Sequence, residues 1–178
     1  QRKYIRDEFS RTRKPVDTPS IMTLESFIRD RYRKEFPKDT CRIISDAYRL
    51  ALFEEAADRA NLAFFTQEGK SLSPATMERL SSVVFGLKED GVSSESLLED
   101  ISRTNSELDF DLPRLQDIYS LCKEYEKALG TTFLDKPAIL QKLLALNRFT
   151  IEEEYPIFIE GFSEYKQPEI EFLVRFAE

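Results

Sequence analysis

From Ser45 onward the apolar positions keep the helical period. Tyr48, Leu52, Ala56 and Ala60 fall four apart, a single stripe along a helix that Ser45 is placed to cap. Beyond the turn-rich link 67–72, Ser73 followed by Pro74 predicts a second helix running to Asp90. Proline is harmless at the first helical position, where its missing N–H would have no intrahelical partner. Gly91 supplies a left-handed stop, and Ser93-Ser94-Glu95 opens a short helix carrying Leu97, Leu98 and Ile101. The polar link 104–111 leads to a longer helix opened by Pro113, with Leu115, Ile118, Tyr119, Cys122, Tyr125 and Leu129 on one face and Gly130 at its end. Asp135 caps a further helix over 136–146. These faces need one another's surface, so residues 39–150 read as a compact helical subdomain.

The two ends follow a different pattern. Ile157, Phe158 and Ile159 form the near-continuous apolar run of a buried parallel strand over 156–160, and Glu160 falls at its carboxyl end, where ligands of open α/β sheets gather. A helix with the stripe Ile170, Leu173, Val174 and Ala177 follows, with Phe172 and Phe176 beside it. Near the other end, a short apolar strand over 20–23 precedes Thr23, whose hydroxyl is placed to satisfy a free backbone donor in the first turn of the next helix. Before it, Arg2-Lys-Tyr-Ile-Arg-Asp-Glu-Phe9 is a charged helical pattern. The chain starts at Gln1 without an initiator Met, and it reads as an excised domain of a larger protein.

The segment Ile159-Glu160-Gly161-Phe162-Ser163-Glu164 resembles the Walker B region of superfamily 1 helicases, an apolar run followed by Asp-Glu-Phe-Gln-Asp. In a phosphoryl-transfer site the first acid helps hold magnesium and the second orients or deprotonates the attacking water. Gly161 has no side chain for that second task. This degenerate form, followed by Pro168-Glu169 and an apolar helix, is similar to the AddB/RexB family, the second subunits of bacterial ATP-dependent helicase-nucleases. Ile21-Met22-Thr23-Leu24-Glu25-Ser26-Phe27 matches that family's strand followed by Thr-Leu-x-x-Phe.

The resemblance implies a mainly α fold: a bundle of about five to seven helices inserted, like the helicase 1B subdomain, between two short strands of a truncated RecA-like α/β domain. Residues 1–38 are then a strand-helix piece of the core, 39–150 the insertion, and 151–178 the degenerate Walker B strand with its helix. It further implies a non-unwinding scaffold on the DNA path of double-strand-break repair and recombination, with a partner helicase-nuclease subunit and a nuclease domain further along the parent chain. Glu160 becomes a remnant metal-side acid and Thr23 a phosphate contact. ATP and magnesium belong to the parent, and no cofactor or catalytic residue is expected in this segment. Two other readings stand beside it: a domain of an active superfamily 1 helicase, which the missing second acid disfavours, and an all-helical protein-interaction domain unrelated to DNA.

Charge locates the DNA expectation. The net charge of -7 opposes polyanion binding, but residues 1–38 carry 11 Lys or Arg against 6 Asp or Glu, and residues 39–178 carry 15 against 27. The candidate contacts are therefore Arg2, Lys3, Arg6, Arg11 and Arg13. Arg29, Arg31, Arg33 and Lys34, interleaved with Asp30 and Glu35, look instead like a solvated helix face.

The remaining chemistry excludes classes. With no His, and with Cys41 and Cys122 far apart, there is no zinc spacing and no Cys-His nucleophile pair. The cysteines read as small buried hydrophobes in a reducing, cytoplasmic setting. No phosphate-cradling Gly-x-x-x-x-Gly-Lys-Thr and no Gly-x-Ser-x-Gly elbow occur, nor any apolar run near the roughly 18 residues that a membrane helix needs.

Overall fold

A computed structural model of the protein describes residues 22–66, 71–104, 112–149, 158–160 and 164–177. The chain divides into two compact units, 1–37 and 38–178.

In the first unit, α1 (Leu24–Glu35) begins at Thr23. The Thr23 hydroxyl accepts from the Ser26 amide at 3.2 Å and donates to the Ser26 hydroxyl at 3.0 Å, closing the first turn. Leu24, Ile28, Arg31 and Tyr32 are buried. Tyr32 packs on Phe36 with ring centroids 5.2 Å apart.

The second unit runs β1 (Arg42–Ile43), α2 (Asp46–Arg59), α3 (Pro74–Glu89), α4 (Ser94–Thr104), α5 (Leu112–Leu129), β2 (Phe133–Leu134), α6 (Lys136–Leu144) and α7 (Gln167–Ala177). Its helix starts are those that the caps predict. Ser45, Ser73 and Asp135 each accept a hydrogen bond from the backbone three residues on. Helix α3 ends in a Schellman turn: Gly91, at φ +85°, donates to Lys88 O, and Val92 donates to Leu87 O.

The core lies between α2, α3 and α5. Leu52, Phe53, Ala56, Leu80, Val84, Leu121, Cys122 and Tyr125 form its buried cluster. Phe53, Phe85 and Tyr125 meet ring to ring, with centroids 5.5 to 6.3 Å apart. Each fully buried large side chain here contributes about 1.5–3 kcal/mol. A second, smaller cluster joins α6 to α7, where Phe149, Phe172 and Phe176 pack with centroids 5.5 to 6.1 Å apart.

Among the described residues the architecture is mainly helical with two short strands, and these are not the strands expected at the ends. Met22 and Thr23 belong to no strand, Thr23 being a helix cap, and residues 20 and 21 lie outside the described residues. Phe158, Ile159 and Glu160 likewise belong to no strand and are exposed, Phe158 at 84%, while 156 and 157 lie outside the described residues. An apolar triplet is buried only where a neighbouring strand and a covering layer meet it.

The strands observed are β1 and β2, which pair in parallel, Arg42 with Phe133 and Ile43 with Leu134. Arg42 N donates to Thr132 O at 2.8 Å and Ile44 N to Leu134 O at 2.9 Å.

Two predicted helix faces are rotated. On α2 the inward positions are Arg49, Leu52, Phe53, Ala56 and Ala57, and Tyr48 is exposed against Phe133. On α7 Glu169 and Phe172 are buried, and Ile170 and Val174, expected inside, are exposed. A charged residue has displaced an apolar one from the inner face in both helices, and both charges are paired.

Candidate functional site

Arg49 enters the core from α2 because its charge is met on three sides. Its guanidinium lies over the Phe85 ring, 3.9 Å from the centroid. Nη1 contacts Glu89 at 3.0 Å, and Nε lies 3.7 Å from Asp135. Burial opposes the charge, but the bond to Glu89 and the nearby Tyr125 and Asp135 hold the Arg49 pKa above its ordinary value. Asp135 has two tasks. One oxygen caps α6 at the Ala138 amide and the other accepts from the Tyr125 hydroxyl, each at 2.9 Å. Burial, followed by the charge and hydrogen bond of Asp135, pushes the Tyr125 phenol far up, so its proton stays in place at any physiological pH.

A neighbouring pair ties α3 to α4 and α5. The buried Lys88 ammonium donates to Glu126 at 3.1 Å, and the same carboxylate accepts from the amide of Ser94 at 3.1 Å and from its hydroxyl. Burial alone would raise the Glu126 pKa, but the bonds from Ser94 and Lys88 prevail and lower it. Elsewhere on α5, the buried Asp117 accepts from the amides of Phe64 and Phe65 at 2.9 and 3.0 Å, tying down the turn that follows α2. Lys88 and Asp117 are matched donor to acceptor, whereas among the described residues Arg49 Nε and Nη2 are buried without a hydrogen-bond partner and are held by the charges of Glu89 and Asp135 and the Phe85 ring; the arrangement fits an internal brace. Neither Arg49 nor Tyr125 can exchange a proton near neutral pH.

A third polar group sits where β1 meets α6. Lys142 Nζ contacts Asp39 at 2.6 Å and donates to Cys41 Sγ at 3.5 Å, and the Cys41 thiol donates to Thr131 O at 3.1 Å. The Asp39 hydrogen bond raises the Cys41 pKa, and the same carboxylate raises that of Lys142. Thiol and ammonium are both held protonated.

Of the residues singled out by sequence as site candidates, the structure describes Thr23 and Glu160. Thr23 is the cap of α1, and its hydroxyl already serves Ser26 both as acceptor and as donor. Arg2, Lys3, Arg6, Arg11 and Arg13 lie outside the described residues, as do Gly161 and Phe162. On α1, Arg29 pairs with Glu25 at 2.8 Å, Arg31 with Glu35 at 3.5 Å and Arg33 with Asp30 at 3.9 Å. The Arg29 and Arg33 pairs form the exposed, self-neutralised surface that the interleaved charges suggest, but Arg31 is buried with the Glu35 side chain it pairs with, so that position is not part of a solvated face.

Glu160 is exposed. Among the described residues no group of three or more His, Cys, Asp or Glu is gathered to hold a metal ion. A hard cation such as magnesium needs several oxygen donors, and Glu160 by itself does not supply them. No step through ATP or magnesium is therefore assigned to these residues. Aromatic faces can hold single-stranded bases only where they are accessible; Phe172 is fully buried, and Tyr165 is exposed.

Sequence reasoning missed the Arg49, Lys88 and Asp117 braces. The available signal was a charged residue on an apolar stripe, as at Arg49 between Leu52 and the Ser45 cap. Among the described residues, no helix is long and apolar enough to cross a membrane. No protein-family model, curated protein or solved structure matches the chain.

Proposed function

We propose that this chain is a non-catalytic, helical scaffold from the helicase-like half of an AddB/RexB-type subunit, positioned on the DNA path of an ATP-dependent helicase-nuclease. The observation that carries the reading is the order of parts: Thr-Leu-x-x-Phe at the start of a helix, then a helical bundle, then the motif Glu160-Gly161-Phe162. A scaffold needs rigidity, and the pairs Arg49–Glu89 and Lys88–Glu126, each a buried cation with a half-buried carboxylate, support that reading by tying α2, α4 and α5 to α3. Its role is to position DNA for a partner motor. Gly161 leaves the motif without the acid that would activate water, so hydrolysis falls to that partner.

The test is binding of the 178-residue chain to single-stranded and duplex DNA by fluorescence anisotropy across a salt series. Five phosphate contacts from Arg2, Lys3, Arg6, Arg11 and Arg13 would give log K against log salt a slope of roughly -3.5 on single strands. Neutralising those five side chains would flatten it. Absence of binding at low salt would overturn the DNA-path reading and favour the second one, a protein-interaction domain. The exposed Ile170 and Val174 on α7 and the acidic balance of residues 39–178 support that alternative. Robust ATP hydrolysis by the parent subunit alone would overturn the non-catalytic assignment.

A further inference from the structure

We draw no further inference here: the strongest candidate, the Asp39–Cys41–Lys142 side-chain cluster where β1 meets α6, rests on a single cysteine whose hydrogen bonds stay within its own strand pairing and cluster, and nothing among the described residues points to a ligand for it.

Discussion

The hydroxyl of Tyr125 donates to the carboxylate of Asp135 across 2.9 Å, with both side chains sealed from solvent. This bond joins the middle of the core to the cap of α6. Replacing Tyr125 by Phe removes the donor yet leaves Asp135 the hydrogen bond from Ala138 and the charge of Arg49 3.7 Å away, so the expected loss is about 1–2 kcal/mol of unfolding free energy. The same pair predicts alkaline behaviour. Because the folded-state phenol pKa is raised, its stabilising effect is complete below the unfolded value near 10. Above that pH the unfolded chain releases a proton that the native state keeps, and stability falls by about 1.4 kcal/mol per pH unit from this group. Urea midpoints measured between pH 9 and 11 should fall more steeply for the native sequence than for Tyr125→Phe. Parallel curves would show that the phenol is not held this way.

Glu126 predicts the acid side. Its lowered pKa means that its contribution is present above the unfolded value near 4.3 and fades as pH drops through the folded one. Glu126→Ala strands the buried Lys88 ammonium and frees the Ser94 amide, at a cost of about 3 kcal/mol near neutral pH. The double variant Lys88→Met, Glu126→Leu should recover most of that loss in chemical denaturation. If the double variant is as unstable as the single, the penalty does not come from the uncompensated charge.

The two thiols should separate by reactivity. Burial, followed by the Glu126 charge, pushes Cys122 up to about 11, with Lys88 opposing. Cys41 is raised too but stays partly accessible. At pH 8 an aromatic disulfide reagent should titrate one equivalent from the native protein, slowly, and the second only after denaturation. A Cys41→Ser variant should give none while folded; a fast equivalent from that variant would place Cys122 at the surface.

Two glycines end helices with positive φ, and they should differ. At Gly91 an added Cβ would lie 3.1 Å from Pro168 Cγ, whereas at Gly130 the nearest atom is Lys127 O at 3.5 Å. Both Ala variants bear the left-handed penalty of about 1 kcal/mol. Gly91→Ala should exceed Gly130→Ala in lost thermal stability, because it also presses on the start of α7. Equal losses would mean that Pro168 yields freely.

How much was legible follows from the range of each interaction. The caps Thr23, Ser45, Ser73 and Asp135 were readable because a cap is satisfied within three residues. The inner face of α2 was not, because Arg49 is made tolerable inside by Glu89, 40 positions away. Hydrophobic period alone ranks Tyr48 above Arg49. Glu169 hides the α7 face in the same manner, buried by its bond to Lys136 at 2.8 Å. The β1–β2 ladder escaped notice since two residues are too few for an alternating pattern to declare itself. For the candidate site, Thr23 was readable as a helix cap, while Glu160 was read as the end of a buried strand and is exposed.

The parallel pairing of Arg42 with Phe133 also bears on the order of assembly. Cys41 and Thr131 beside it are 90 positions apart, and closing a free loop of that length costs about 4 kcal/mol in chain entropy. A two-residue ladder cannot offset that, so α2, α3 and α5 must collapse first and deliver its two edges. The ladder is then made after that collapse, and in pulse-labelled refolding the Arg42 and Ile44 amides should gain protection from hydrogen exchange later than the amides of α2, α3 and α5.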